Sequence, residues 1–392
     1  MERLSRYIEI FLIATRLGLT SFGGPVAHLA YFQEEYVQRR KWLSDQMYAD
    51  LIALCQFLPG PASSQVGISI GMLRGGLVGG LLAWIGFTLP SVLILTIFAW
   101  YVIQLDLADA VWIGALKVVA VAVVAHAVLN MGKKLAPDLP RIALLVGSAT
   151  VLLLFPFATT QLIVIALAAI IGALYFKNIA KPNEAEAVMT FSKKIGAFSL
   201  SIFVGLLTLL PILNHYYNHI YIELFDIFYR VGSIVFGGGH VVLPLLEREL
   251  VPSGLISEDM FLAGYGAAQA IPGPLFTFSS YLGTIIHGIP GMLVATIAIF
   301  LPSFLLIIGI LPFWQQLRQM KYVGAALLGV NAAVVGIIVA AFYHPIFTSG
   351  IMSELDFAVA LLGFSLLQFW KRPAWLVVII VVVVYILLSL LM

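Results

Sequence analysis

Two short stretches carry residues whose types and spacing could do chemistry: Pro59-Gly60-Pro61 and Pro272-Gly273-Pro274, with Gln56 and Gln269 standing the same distance upstream. Proline removes a backbone donor, the residue before it is pushed out of helical geometry, and glycine relaxes the turn, so each motif interrupts a helix. The helix that resumes, at Ala62-Ser63-Ser64 in one copy and Leu275-Phe276-Thr277 in the other, starts with unpaired N–H groups and the positive end of its dipole. Such an end favours an anion. Hydroxyls at Ser63, Ser64 and Thr277 and amides at Gln56 and Gln269 add donors around the same point, a set that suits a tetrahedral dianion. One isolated Pro-Gly-Pro bends a helix for packing as readily as it builds a site. Its return with the same upstream glutamine points to a site.

Charged residues recur in the same way: Glu9 and Arg16 are matched by Glu223 and Arg230, and Glu35 by Glu249. Glu9 and Arg16 stand almost two helical turns apart and share a face. An arginine at membrane depth must pair or line a wet cavity, so Arg16 and Arg230 are candidates for contact with the anion; the alternative reading is an ion pair holding the two halves together. Glu9, Glu223, Glu35 and Glu249 could carry coupling protons, against a solvated surface role for Glu35 and Glu249 in particular. Lys117 and His126 face Leu328 and Ile337 in the repeat and are weaker candidates, and His28 and His240 do not occupy equivalent positions, so they make no metal pair.

These residues need elements that hold them in a bilayer. Of 392 residues 61% are hydrophobic and 10% charged, well below the ~25% charged share of soluble domains. Apolar runs such as Val111–Leu129, Leu162–Phe176 and Leu376–Leu391 are long enough to cross a ~30 Å hydrocarbon core. The fold class is therefore an all-α polytopic membrane protein. Phe22-Gly23-Gly24 returns as Phe236-Gly237-Gly238, and Leu89-Pro90-Ser91 as Leu301-Pro302-Ser303, at a nearly constant offset. This self-similarity divides the chain into an N-terminal repeat (1–180), a linker with an extra helix (181–220) and a C-terminal repeat (221–392).

Lysines and arginines near 133–141, 177–194, 318–321 and 371–372 mark cytoplasmic turns. They predict about six crossings in each half and an extra one near Ile195–Leu210, about thirteen in all, with a cytoplasmic N-terminus, an external C-terminus and inverted-topology repeats. The basic run Arg39-Arg40-Lys41 falls on the external side in this scheme, which implies that Gln33–Asp45 lies along the surface or tucks back. Met1–Gly24 reads as a retained first helix, because Glu9 and Arg16 interrupt its apolar core and no small-residue cleavage site follows.

Several classes drop out. The single cysteine, Cys55, leaves no internal disulfide or cysteine-cluster metal site and reads as a small packing residue. A net charge of +2, widely spread, argues against a nucleic-acid partner. No nucleotide-binding loop, zinc-ligand helix or nucleophile elbow occurs. The reading implies no cofactor, no metal and no enzyme activity, with transport driven by gradients, lipid as surroundings and a homodimer left open.

Phe22-Gly23-Gly24-Pro25 followed by His28, then Leu58-Pro59-Gly60-Pro61 with Ser63-Ser64-Gln65-Val66-Gly67, resembles the chromate ion transporter family in its long-chain, two-half form. The motifs occur in order and recur in the second half as Phe236-Gly237-Gly238-Gly239 and Pro272-Gly273-Pro274, so the resemblance covers nearly all of the chain. It implies export of chromate from the cytoplasm, chromate resistance and a place in the plasma membrane of a bacterium or archaeon. The second copy has Phe276 where Ser63 stands and Phe278 where Gln65 stands, so the anion is expected to be held mainly by the first half. Moving a charge of −2 outward across ~100 mV, negative inside, releases ~4–5 kcal/mol, about three decades of gradient, without ATP. Sulfate shares the charge and shape of chromate and is the nearest alternative cargo. An anion channel and an intramembrane enzyme are the alternatives of different class.

Overall fold

The computed structural model describes residues 2–21, 24–104, 111–155, 158–177, 192–217, 219–235, 241–313 and 320–391, and these are all-helical with no strand among them. The Phe22-Gly23 and Phe236–Gly239 motifs, with His240, lie outside the described residues. The first half contains α1 (Glu2–Thr20), α2 (Gly24–Phe32) running into a π-helical turn (Gln33–Arg39), α3 (Asp45–Phe57), α4 (Ala62–Gln104), α5 (Val111–Leu135), α6 (Leu139–Leu154) and α7 (Ala158–Tyr175). After α8 (Lys193–Tyr217) the second half contains α9 (Ile220–Ile234), α10 (Val242–Leu250), α11 (Glu258–Ala268), α12 (Phe278–Ile310), α13 (Lys321–Ala341), α14 (Glu354–Gln368) and α15 (Ala374–Leu391).

Among the described residues, six segments are long and apolar enough to cross a membrane: Ala62–Ile103, Gly114–Leu135, Lys193–Tyr217, Leu275–Phe313, Tyr322–Gly350 and Ala374–Leu391, with shorter apolar helices at Leu139–Leu154 and Ile163–Tyr175. The thirteen expected from loop charges treat every bounded run as a separate crossing, whereas the structure folds several runs back as hairpin arms. In α4 and α12 the backbone leaves helical geometry at Gly75-Gly76 and His287-Gly288, with φ +64° at Gly76 and +61° at Gly288. Beyond these points the chain reverses, and Gly71 backs onto Gly79 and Gly283 onto Gly291 at backbone contact.

The Pro-Gly-Pro segments, which sequence alone reads as breaks within a helix, are also points of return. The Tyr281 hydroxyl donates to Met260 O at 2.9 Å, and Phe278 lies edge-on to Phe261 and Tyr265, so α11 folds against the first arm of α12. Cys55, buried and free, meets the Ser69 hydroxyl across the corresponding pair, α3 and the first arm of α4. Both hairpins start alike: Ser44 and Ser257 cap α3 and α11 by accepting from Met47 N and Met260 N. The π-helical turn after α2 returns toward α1, because Arg40 at its end reaches Glu9 at 2.9 Å, and α10 folds back on α9, because Arg230 reaches Glu249. The return of the first hairpin carries Arg39-Arg40-Lys41 back beside the opening turns of α1, so the chain tucks back there.

Small residues set the packing, as expected where lipid removes much of the hydrophobic drive between helices. A Cβ at Gly18 would lie 2.5 Å from Phe87 O, and one at Gly232 2.3 Å from Ile299 O, so the first helix of each half rides backbone to backbone on the long helix. The halves also exchange partners: α13 packs on α6 and α7 of the first half, and α5 on α11, α14 and α15 of the second. One buried cluster consequently joins Leu95 and Val118–Val124 to Phe228, Tyr265, Phe300 and Val381.

Candidate functional site

The two Pro-Gly-Pro tips meet the opposite halves. Gly60 N donates to Val235 O, just past the end of α9, at 2.7 Å, and Gly273 N donates to Ser21 O, just past the end of α1, at 3.0 Å. Gly60 has φ +117° and Gly273 φ +101°, which side-chain-bearing residues rarely adopt. Space is equally restrictive: a Cβ at Gly60 would lie 2.7 Å from Gln65 Nε2 and Ser303 Oγ, and one at Gly273 2.8 Å from Ser91 Oγ. The serine of each Leu-Pro-Ser sequence thus stands at the tip belonging to the other half. Sequence reasoning noted that repeat without assigning Ser91 or Ser303 a role, although its co-occurrence with Pro-Gly-Pro in both halves was the available signal.

Around the first tip, polar atoms outnumber partners. Gln65 Nε2 donates to Pro59 O at 2.7 Å and approaches Ser303 Oγ at 3.4 Å, and Ser63 Oγ lies 3.2 Å from His28 Nδ1. Buried His28 Nε2, Ser64 Oγ and Gln65 Oε1 find no partner there among the described residues. Each buried orphan costs ~1–3 kcal/mol, so a cluster of them calls for an explanation. The second tip is less polar in its own residues. Thr277 spends its hydroxyl on Pro274 O at 2.7 Å, Ser280 bonds back to Thr277 O, and Phe276 and Phe278 fill the places of Ser63 and Gln65. Among the described residues its own unpartnered atoms are Gln269 Nε2 and Ser279 Oγ, and the first half brings Ser21 Oγ and Thr88 Oγ1 beside Gly273.

The structure thus gathers Gly60, Ser63, Ser64 and Gln65 at the first tip, and Gly273 and Thr277 at the second. The upstream glutamines differ: Gln269 is half-buried, whereas Gln56 is exposed. The charged candidates form separate ion-pair clusters. Arg16 pairs with Glu35 at 3.6 Å, and Glu35 also takes Arg39 at 3.3 Å and Arg40 at 2.7 Å. Glu9 pairs with Arg40 and, at 3.7 Å, with Arg74, not with Arg16. In the second half Arg230 joins Glu249 and Asp226, and Glu223 sits half-buried in the first turn of α9. The Arg16–Glu35 and Arg230–Glu249 pairs are therefore the same tie, made twice, between the two arms of a hairpin within one half, and not the tie between halves that the sequence suggested. Arg40 entered sequence reasoning only as part of the basic run Arg39-Arg40-Lys41, and Arg74 and Asp226 escaped it because neither has a charged counterpart in the repeat. Lys117 pairs with Asp259 at 2.9 Å, and His126 with Gln368 at 3.0 Å.

An all-helical, multi-pass membrane protein with paired helical hairpins and a polar centre is the class these features define. Within it, the chain belongs to the Chromate transporter family, whose sequence model matches residues 8–173 and again residues 222–387. It is 29% identical over 338 residues to an uncharacterised transporter of Methanocaldococcus jannaschii, covering 85% of this chain and 83% of that one. It is 25% identical over 356 residues to a chromate transport protein of Pseudomonas aeruginosa, covering 85% and 79%. An uncharacterised transporter of Bacillus subtilis, YwrA, is 32% identical over 163 residues, which are 40% of this chain and 91% of that shorter one. No solved structure matches. Membership supports a role in chromate transport and suggests a transporter rather than an enzyme.

Proposed function

We propose that this protein exports chromate from the cytoplasm as a secondary transporter, by alternating access around the two Pro-Gly-Pro tips. The observation that carries the reading is the reciprocal tip contact, Gly60 to Val235 and Gly273 to Ser21, beside the buried, unpartnered atoms Ser64 Oγ, Gln65 Oε1 and Ser21 Oγ. Hydroxyls and resumed-helix amides there would hold a tetrahedral dianion without a fixed positive charge, which keeps release feasible. The membrane potential supplies the drive, and protons exchanged through Glu9, Glu35, Glu223 or Glu249 would add to it. Arg16 and Arg230 serve this cycle by holding hairpin arms to Glu35 and Glu249.

The halves, 1–180 and 221–392 with 181–220 between them, are read as inverted repeats whose hairpins re-enter from opposite faces, in place of thirteen full crossings. Trp84 of α4 packs on both Phe300 and Phe304 of α12, the offset an antiparallel crossing of equivalent helices would give. Arg3, Arg6, Arg39, Arg40, Lys41 and Arg74 cluster at the open end of the first half's hairpins, where the second half has Tyr217, Ile220, Ser253, Gly254, Leu255 and Ile286. By the positive-inside rule the first end is cytoplasmic, together with the N-terminus.

Uptake of labelled chromate into inside-out vesicles, at several clamped potentials and with sulfate as competitor, tests the reading. Accumulation that follows the potential and resists excess sulfate is expected. Equal uptake of both anions would make the protein a general divalent oxyanion transporter, and flux far above carrier rates would make it a channel.

A further inference from the structure

Arg3, Arg6, Tyr7, Met72, Arg74 and Gly76 line a half-open pocket of about 310 Å³ between the start of α1 and the first reversal of α4. Three of its walls are guanidinium groups and none is a carboxylate. Arg74 is pinned, with its guanidinium carbon 5.1 Å from the Trp42 ring centroid and Glu9 at 3.7 Å. Arg3 and Arg6 form no ion pair among the described residues. Three converging guanidiniums share one counter-charge, Glu9 on Arg74, which Arg40 also engages, and an oxyanion seated among them relieves the remaining repulsion with charge-assisted hydrogen bonds.

The repeat shows that the scaffold does not need these charges. The corresponding corner of the second half turns at His287-Gly288 and carries Tyr217, Ile220 and Ile286 where the first half has Arg3, Arg6 and Arg74. Tyr7 and its counterpart Tyr221 are common to both, and Tyr221 there lies against the His287 ring at 5.0 Å. One corner is basic and its twin is neutral, although the backbone makes the same reversal.

Both sides of the basic corner are apolar and open: Leu4 and Ile8 on α1 and Leu77, Val78 and Leu81 on α4 are exposed large side chains. A free oxyanion has no use for such flanks, whereas the acyl chains of a lipid do. The geometry points to a binding site for an anionic phospholipid, its phosphate headgroup among Arg3, Arg6 and Arg74 and its chains along Leu4, Ile8, Leu77 and Leu81.

The test is retention of phosphatidylglycerol by the full-length detergent-purified protein, read by native mass spectrometry, with phosphatidylcholine and inorganic phosphate as the other probes. Phosphatidylglycerol should be retained in preference to phosphatidylcholine, and the double substitution Arg3→Gln, Arg6→Gln should weaken that retention about thirtyfold. A second double substitution, Lys371→Gln with Arg372→Gln, removes the same charge from exposed positions elsewhere and should leave retention unchanged. Equal retention of the two lipids, equal loss in both double variants, or displacement of phosphatidylglycerol by millimolar inorganic phosphate would overturn the assignment. Coincident thermal unfolding midpoints for the variants and the parent exclude misfolding as the cause of any loss.

Discussion

The two helical tips share a backbone and differ in what they offer a ligand. Each places a positive-φ glycine between two prolines, sends its N–H to the far half, and receives the serine of the far half's Leu-Pro-Ser. The first tip adds buried Ser63, Ser64 and Gln65 with spare hydrogen-bonding capacity, whereas the second closes Thr277 on itself and inserts Phe276 and Phe278. A duplicated fold thus separates two tasks. Both copies keep the contact between the halves, and under the proposed function one copy keeps the side chains that would meet the anion.

The largest effect is expected where the tips are alike. Gly60→Ala and Gly273→Ala each force a Cβ into a serine hydroxyl at a disfavoured φ, at a cost of ~1–3 kcal/mol in backbone strain alone. Both should lower chromate uptake in vesicles by about a hundredfold, with a reduced thermal midpoint. A tip that tolerates alanine would not be the contact between halves described above.

The next effect separates the tips. Ser64→Ala removes an unpartnered buried hydroxyl, and if that hydroxyl meets the anion the loss is ~1.5–3 kcal/mol, about tenfold or more in transport, with an unchanged melting temperature. Thr277→Val at the matching position removes a hydroxyl already committed to Pro274 O, so it should lower stability by ~1 kcal/mol and leave the apparent affinity for chromate alone. Equal transport losses in the two variants would erase the division of labour.

A smaller contrast lies in the hairpin ties. Glu35 alone faces Arg16, Arg39 and Arg40, and the second half doubles its carboxylate, with Asp226 standing where the first half has Leu12. Glu35→Gln should cost ~2 kcal/mol by thermal unfolding, because Arg40 keeps Glu9 and the Arg16 and Arg39 side chains are 57% and 60% exposed. Glu249→Gln leaves Arg230 its Asp226 partner and should cost ~1 kcal/mol. If proton coupling runs through Glu35, its glutamine variant also flattens the pH dependence of uptake, which a purely structural tie would not do.

Much of this contrast was legible in the residues. Pro59-Gly60-Pro61 and Pro272-Gly273-Pro274 announce interrupted helices, and Phe276 and Phe278 announce that the second copy has given up polar groups. What could not be read was the direction of the chain after each interruption. A broken crossing and a hairpin have the same local sequence, and tertiary contacts decide between them, such as the Tyr281 hydroxyl on Met260 O. The basic run Arg39-Arg40-Lys41 looked misplaced for the same reason: counting crossings sends it outside, whereas the ion pair from Arg40 to Glu9 holds it beside the start of α1. Charge pairing read along one helix misled in parallel, since Glu9 and Arg16 share a face of α1 yet each finds its partner on another segment.

The upstream glutamines sharpen the comparison last. Gln269 holds a buried Nε2 without a partner and meets the Tyr265 hydroxyl, whereas Gln56, at the same place in the other hairpin, is exposed. Two amides serving one anion in one conformation would be buried alike, so their difference is what alternating access would produce if each glutamine faces the anion in a different state. Gln269→Ala should then lower the rate of chromate uptake about threefold to tenfold, the loss of one neutral donor. Gln56→Ala should change uptake from the opposite face by a similar factor and uptake from the first face little. Measuring both variants in inside-out and right-side-out vesicles separates the cases. Losses that depend on the side of addition support two states exchanging the glutamines, and a loss confined to Gln269 in both orientations would make Gln56 a surface residue and leave the site with a single amide.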